Sequence, residues 1–109
     1  MAMYLTRFSY TPETWARMIE NPEDRREAAR SYMESVGGKL HGFWYAFGER
    51  DGLNLWEAPD NVSMAAVALA LSAGGAISAL ETNVLLTVDE TLEALGRAAQ
   101  VQYRPPGSA

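Results

Sequence analysis

His41 is the only histidine in the 109 residues. Imidazole changes charge near neutral pH without help, so His41 is the first candidate for a general base. Two further candidates are charges set in apolar stretches: Arg7, between Thr6 and Phe8, and Glu81, between Leu80 and Thr82. A carboxylate in apolar surroundings is costly unless paired. Glu81 is therefore expected either to meet a base such as Arg7 or to reach solvent at a sheet edge. Opposite charges on neighbouring strands would form a structural ion pair, or would line a pocket that orients a carboxylate or enolate. The bland alternative for all three is structural: a partly exposed strand histidine and a strand-to-strand ion pair.

Other chemistry is excluded by residue type. The chain has no cysteine, which rules out disulfides, thiolate metal sites and a thiol nucleophile. One histidine falls short of the donor set that zinc requires, so neither a metal nor a cofactor is expected. The glycine pairs Gly37-Gly38 and Gly74-Gly75 lack the spacing and lysine of a phosphate loop. A net charge of -5 argues against a nucleic-acid partner and against adsorption to an anionic membrane. The longest apolar run, residues 64–71, is well short of the ~20 residues of a membrane span. The N-terminus shows no basic start followed by an apolar run, and a cytoplasmic protein is expected. What the sequence offers a ligand is aromatic surface. Tyr4, Trp15, Trp44 and Tyr45 are the expected substrate-binding residues, since pockets for small organic molecules are mostly apolar. At strand or helix spacing the same residues serve a core equally well.

These residues need elements to hold them. Residues 3–9 read as a strand. Thr11-Pro12-Glu13 opens a helix with Trp15, Met18 and Ile19 facing inward. Asn21-Pro22-Glu23-Asp24 breaks it and starts a second helix, which turns Ala28, Ala29, Tyr32, Met33 and Val36 to one side. Residues 39–47 and 53–57 form a hairpin across a charged turn in which Asp51 is expected to satisfy turn amides. A helix from Asp60 or Asn61 is apolar almost all round, so more than one side of it should be covered. Residues 77–88 read as a long strand, followed by a last helix with Leu92, Leu95 and Ala99 inward. The order β-α-β-β-α-β plus a terminal helix is an α+β, ferredoxin-like arrangement with a four-stranded antiparallel sheet. One domain is expected over residues 1–102, with a loose tail over residues 103–109.

Alternation places Leu40, Gly42, Trp44 and Ala46 on one face of the 39–47 strand and His41, Phe43, Tyr45 and Phe47 on the other. In this fold helices cover one face only. Leaving Phe43, Tyr45 and Phe47 in water forgoes roughly 1.5–3 kcal/mol for each, and such a patch marks an interface. A homodimer formed sheet to sheet is expected. The alternative is a monomer whose last helix folds over that face.

The stretch of residues 37–51, carrying Gly37, Gly38, Gly42, Phe43, Trp44, Tyr45, Gly48 and Asp51, resembles the core of the GYD domain family. Leu55-Trp56-Glu57-Ala58-Pro59-Asp60 and the alanine-rich helix continue the resemblance, which covers roughly Tyr4 to Leu95. Arg50 stands at the tyrosine of the family's Gly-x-Tyr-Asp signature. The resemblance implies a dimeric α/β barrel, a superfamily that includes cofactor-free monooxygenases, haem enzymes, isomerases and dehydratase-like proteins. Together with the charges in apolar strands, and with the lack of a nucleophile constellation, metal motif or nucleotide loop, it leaves two expected functions. One is a cofactor-independent enzyme of isomerase, lyase or monooxygenase type, acting on a small unsaturated or aromatic metabolite through His41, Arg7 or Glu81. The other is a non-catalytic oligomeric domain that binds a metabolite or a protein. Haem ligation by His41 rests on superfamily analogy alone.

Overall fold

The chain folds back on itself at proline, glycine and capping residues, and the resulting computed structural model describes residues 1–108. Strands β1 (Ala2–Tyr10), β2 (Lys39–Tyr45), β3 (Gly52–Ala58) and β4 (Ile77–Leu85) and helices α1 (Pro12–Glu20), α2 (Arg26–Glu34), α3 (Asn61–Ala73) and α4 (Val88–Ala98) follow in the order β1-α1-α2-β2-β3-α3-β4-α4. The strands form one antiparallel sheet in the order β2-β3-β1-β4. This is the ferredoxin-like order with an added C-terminal helix.

Local chemistry sets the helix starts. Thr11 Oγ1 accepts from Thr14 N at 3.1 Å, with Pro12 in the first turn. Asp60 Oδ1 accepts from Ser63 N at 2.8 Å. Asp24 holds both the backbone N and the guanidinium of Arg26, so α2 begins just after the Pro22 break. The long strand expected to residue 88 stops at Leu85 because Thr87 is already the N-cap of α4.

Tyr4, Thr6, Phe8 and Tyr10 of β1 and Gly52, Asn54, Trp56 and Ala58 of β3 point toward the helical layer and are buried. Tyr4, Trp56 and Ala58 pack with Met33 of α2 and with Met64 and Val67 of α3 to form the main core. Gly52 is required by this packing: a Cβ there would lie 2.3 Å from the ring of Phe8.

One expectation about the sheet is overturned. Leu40 pairs with Trp56, but Gly42 pairs with Leu55, so His41 is an extra residue in β2. A bulge of this kind reverses alternation beyond it. Phe43 and Tyr45 therefore point to the helical side, opposite Asn54 and Gly52, and Trp44 points to the bare side. Phe43 meets the rings of Phe8 and Tyr45 at 5.7 and 5.1 Å. Phe47 lies beyond the strand, fully exposed. The bare face is apolar through other residues: Met3, Leu5, Leu53, Leu55, Trp44 and Leu85.

Three helix faces also differ from expectation: α3 is apolar almost all round yet is covered on one side only, with Val62 and Leu69 exposed on the other. Ile19 points outward, and Thr14 takes the buried place beside Trp15 and Met18, because its hydroxyl donates to Ala76 O at 2.9 Å. Leu92, Leu95 and Ala99 do not face inward: α4 buries no residue. Of the expected loose tail, residues 103–108 are exposed, with a turn at residues 106–107. Ala109 lies outside the described residues. No helix among the described residues is long and apolar enough to cross a membrane.

Candidate functional site

Between the two clusters of the helical side, the large main core and the aromatic group on β1 and β2, the sheet and helices do not close. The gap is a cavity of about 360 Å³. Its floor is Phe8, Tyr10, Phe43 and Asn54 of the sheet. Its walls are Thr14, Arg17 and Met18 of α1, Arg25 and Tyr32 at α2, Ala70 and Leu71 of α3, and Ile77.

Asn54 is the polar centre of that floor. It is 2% exposed, and its Nδ2 has no hydrogen-bond partner among the described residues. Its buried polar neighbour on β1 is satisfied: Thr6 Oγ1 accepts from Trp56 Nε1 at 3.1 Å and shares a hydrogen bond with Thr82 Oγ1 at 2.9 Å. An unpaired buried amide costs about 1–3 kcal/mol.

Two phenols and a guanidinium join it. Burial, then the hydrogen bond to Tyr45 at 3.2 Å, pushes the Tyr10 hydroxyl far above the ordinary phenol range. Burial pushes the Tyr32 hydroxyl up to about 12. Both hydroxyls therefore stay protonated at physiological pH, and that of Tyr10 shares its hydrogen bond with Tyr45. Arg25 lies 3.1 Å from Glu23, and its side chain is 38% exposed, so the cavity mouth carries an ion pair whose cation and carboxylate both line the space. This arrangement can hold and polarise a carbonyl or carboxylate oxygen against an aromatic floor.

Asp51 anchors the frame. Its Oδ2 accepts from Tyr10 N and from Trp15 Nε1, each at 3.0 Å, and its own N donates to Phe8 O at 2.8 Å. The carboxylate thus ties the β2–β3 hairpin to β1 and α1, rather than serving amides of its own turn.

The residues singled out from sequence fall into separate places. Arg7 and Glu81 are directly opposite on β1 and β4, on the bare face, 3.8 Å apart and about half exposed. Arg7 Nη1 also donates to Asn83 Oδ1 at 3.0 Å. His41 sits in the bulge on the far edge strand, its Nε2 3.1 Å from Glu57 Oε1. Two strands separate it from Glu81, so the three do not form one group. Tyr4 is buried in the main core, with its hydroxyl donating to Asn61 Oδ1 at 2.6 Å. Trp44 is on the bare face. Trp15 and Tyr45 pack beside Tyr10 at the cavity's edge, with ring centroids 5.1 and 6.2 Å from it. No group of three histidine, cysteine or acidic side chains suited to a metal occurs among the described residues.

Asn54, Tyr10 and Arg25 were not legible as site residues. Asn54 had a signal, an amide in the alternating apolar pattern of a strand, but Tyr10 and Arg25 come to the cavity only through packing.

The comparison with curated proteins returns no match. Residues 4–95, which carry nearly the whole sheet, the hairpin fastened by Asp51 and the lining of the cavity, match the family model of the GYD domain, and by that match the chain belongs to the GYD domain family.

Proposed function

We propose that this domain binds a small unsaturated or aromatic molecule bearing a carbonyl or carboxylate, in the cavity between sheet and helices. The observation that carries the reading is the unpartnered Nδ2 of Asn54, buried among Phe8, Tyr10 and Phe43 on the cavity's floor. A ligand oxygen accepting from that amide would end its isolation, and Tyr10, Tyr32 and Arg25 supply further donors. The same donors would stabilise negative charge developing on an enolate, which is the step shared by isomerase and lyase chemistry. Glu23, paired with Arg25 where it lines the cavity, is the carboxylate that would take the proton. Binding without turnover uses the same geometry and omits only that transfer.

The test is Asn54→Leu. It removes the donor and leaves no partner stranded, so stability should be unchanged or raised by about 1 kcal/mol. Binding of aromatic carboxylates or of a co-purifying small molecule, followed by calorimetry or native mass spectrometry, should drop at least tenfold. Retained affinity, or a loss of more than 2 kcal/mol of stability, contradicts the reading. Turnover of a bound compound, lost in Glu23→Gln, separates enzyme from binding domain.

A second copy of the chain is the proposed partner on the bare face of the sheet. The motive is Trp44, 54% exposed and lying over Gly42, beside Leu5, Leu53 and Leu55. Pairing of two such faces by a two-fold axis would bury them together.

A further inference from the structure

From Leu86 onward the chain leaves its own domain. Every described residue at positions 86–108 is exposed. α4 is nevertheless a well-made helix. Thr87 N donates to Glu90 Oε1 at 2.9 Å and Glu90 N donates to Thr87 Oγ1 at 3.0 Å, a reciprocal capping box. Only Leu86 and Thr87 separate it from β4, so its direction is set by a short connection. One side of α4 is apolar: Val88, Leu92 and Leu95 follow at i, i+4 and i+7 and are 76%, 60% and 63% exposed. That is the stripe of a helix that packs on something. Asp89, Glu90, Glu93 and Arg97 lie away from it.

A second orphan face lies on α3. Asn61–Ala73 contains no ionisable residue. Its solvent side presents Val62 and Leu69, 80% and 71% exposed, with Ala65, Ala66 and Ala73 between and beyond them. The two faces do not cover each other within one chain.

The shape gives the size of what is missing. The chain exposes 7706 Å², where a compact monomer of its 12.0 kDa mass exposes about 6,000 Å². The excess, roughly 1,700 Å², is about twice one partner's share of a standard interface, ~800 Å². Its radius of gyration is 17.8 Å and its longest extent 62 Å, against about 13 Å for the radius of a compact domain of this length.

We propose that α4 is an exchanged arm: in a symmetric pair it lies along α3 of a second copy, with Val88, Leu92 and Leu95 set against Val62, Ala65 and Leu69. The occupant is a second copy because one chain carries both faces, and two-fold symmetry then satisfies both at once. The helices match in length, about 20 Å for α3 and about 17 Å for α4. Alanines on α3 let a neighbouring helix come close, and the uncharged α3 face leaves the ionic side of α4 in water. The contact is separate from the sheet pairing and from the cavity, and rests on neither.

The chain has no cysteine, so engineered pairs report cleanly. Full-length L92C chains are co-expressed with differently tagged V62C, A65C or L69C chains and oxidised. A disulfide joining the two differently tagged chains is expected for at least one pair, and none when E93C, on the polar side, replaces L92C. Leu92→Arg should abolish the contact and leave its amide protons exchanging as fast as those of an isolated helix, while wild-type α4 is protected at least tenfold. The proposal is overturned if a chain carrying both L92C and L69C closes its disulfide only within itself. It is equally overturned if no pair forms a disulfide, or if wild-type α4 is unprotected in the self-associated protein.

Discussion

Tyr10 and Tyr32 give the cavity a signature in alkali. A phenol buried against aromatic rings loses the hydration that its anion needs, so its ionisation is deferred. The ordinary value is 10.0, whereas Tyr32 stands at about 12 and Tyr10 is raised further. In the unfolded chain both ionise near the ordinary value. Between that pH and the raised folded values the folded state therefore holds more protons, and stability must fall as pH rises. Below the ordinary value their contribution is fully present. Urea midpoints measured from pH 8 to pH 12 should be flat and then decline above about pH 10. Tyr10→Phe and Tyr32→Phe should each make that decline shallower. A decline of wild-type steepness in the double variant would show that other groups govern it.

At the scale of elements, the cavity exists because separate pieces are fastened around it. Asp51 connects the hairpin turn to β1 through Tyr10 N and to α1 through Trp15 Nε1. Hydrogen bonds to an ionised acceptor contribute about 1.5–3 kcal/mol each. Asp51→Ala strands both donors, so it should cost about 3 kcal/mol in urea unfolding and shift the fluorescence of Trp15. Asp51→Asn keeps one acceptor and should recover part of the loss. An alanine variant within 0.5 kcal/mol of the wild type would remove Asp51 from this role. The bulge at His41 is the other element-scale device. The extra residue turns Phe43 and Tyr45 into the aromatic floor and sends Trp44 to the bare face. Strand periodicity alone assigns those aromatics to the opposite sides.

For the whole molecule, three apolar surfaces lie uncovered on one chain: the bare side of the sheet, the outer side of α3 and the arm beyond β4. On the sheet, Leu5, Leu53 and Leu55 are half-buried by their neighbours, and Arg7, Glu81 and Glu57 border them. If a second copy covers this face, a central lysine becomes an unpaired charge in a dry interface. Leu55→Lys should then reduce the sedimenting mass while leaving the far-UV spectrum unchanged. A mass equal to wild type would place the association elsewhere. Because the arm contact is distinct, Leu92→Arg and Leu55→Lys should remove different interfaces and add rather than substitute for one another.

The residues of this chain fixed its element order without help from anything distant. Pro12, Pro22, the Gly37-Gly38 pair, Asp60 and the run of strand formers act within a few positions, so the βαββαβ order and the break between α1 and α2 follow from local sterics and capping alone. The pairing of Arg7 with Glu81 was foreseeable as one of two outcomes for the same local reason, the cost of a lone charge in a strand. What depended on the fold were the relations between distant segments. A single inserted residue at His41 reverses side-chain direction, and nothing near it in sequence marks the slip. Asn54, Tyr10, Tyr32 and Arg25 meet only when sheet and helices pack. Leu92 and Leu95 carry the inward pattern of a core helix, yet where they dock depends on where β4 ends and which surface then lies within reach. Periodicity records that a face must be covered; only three-dimensional packing decides by what.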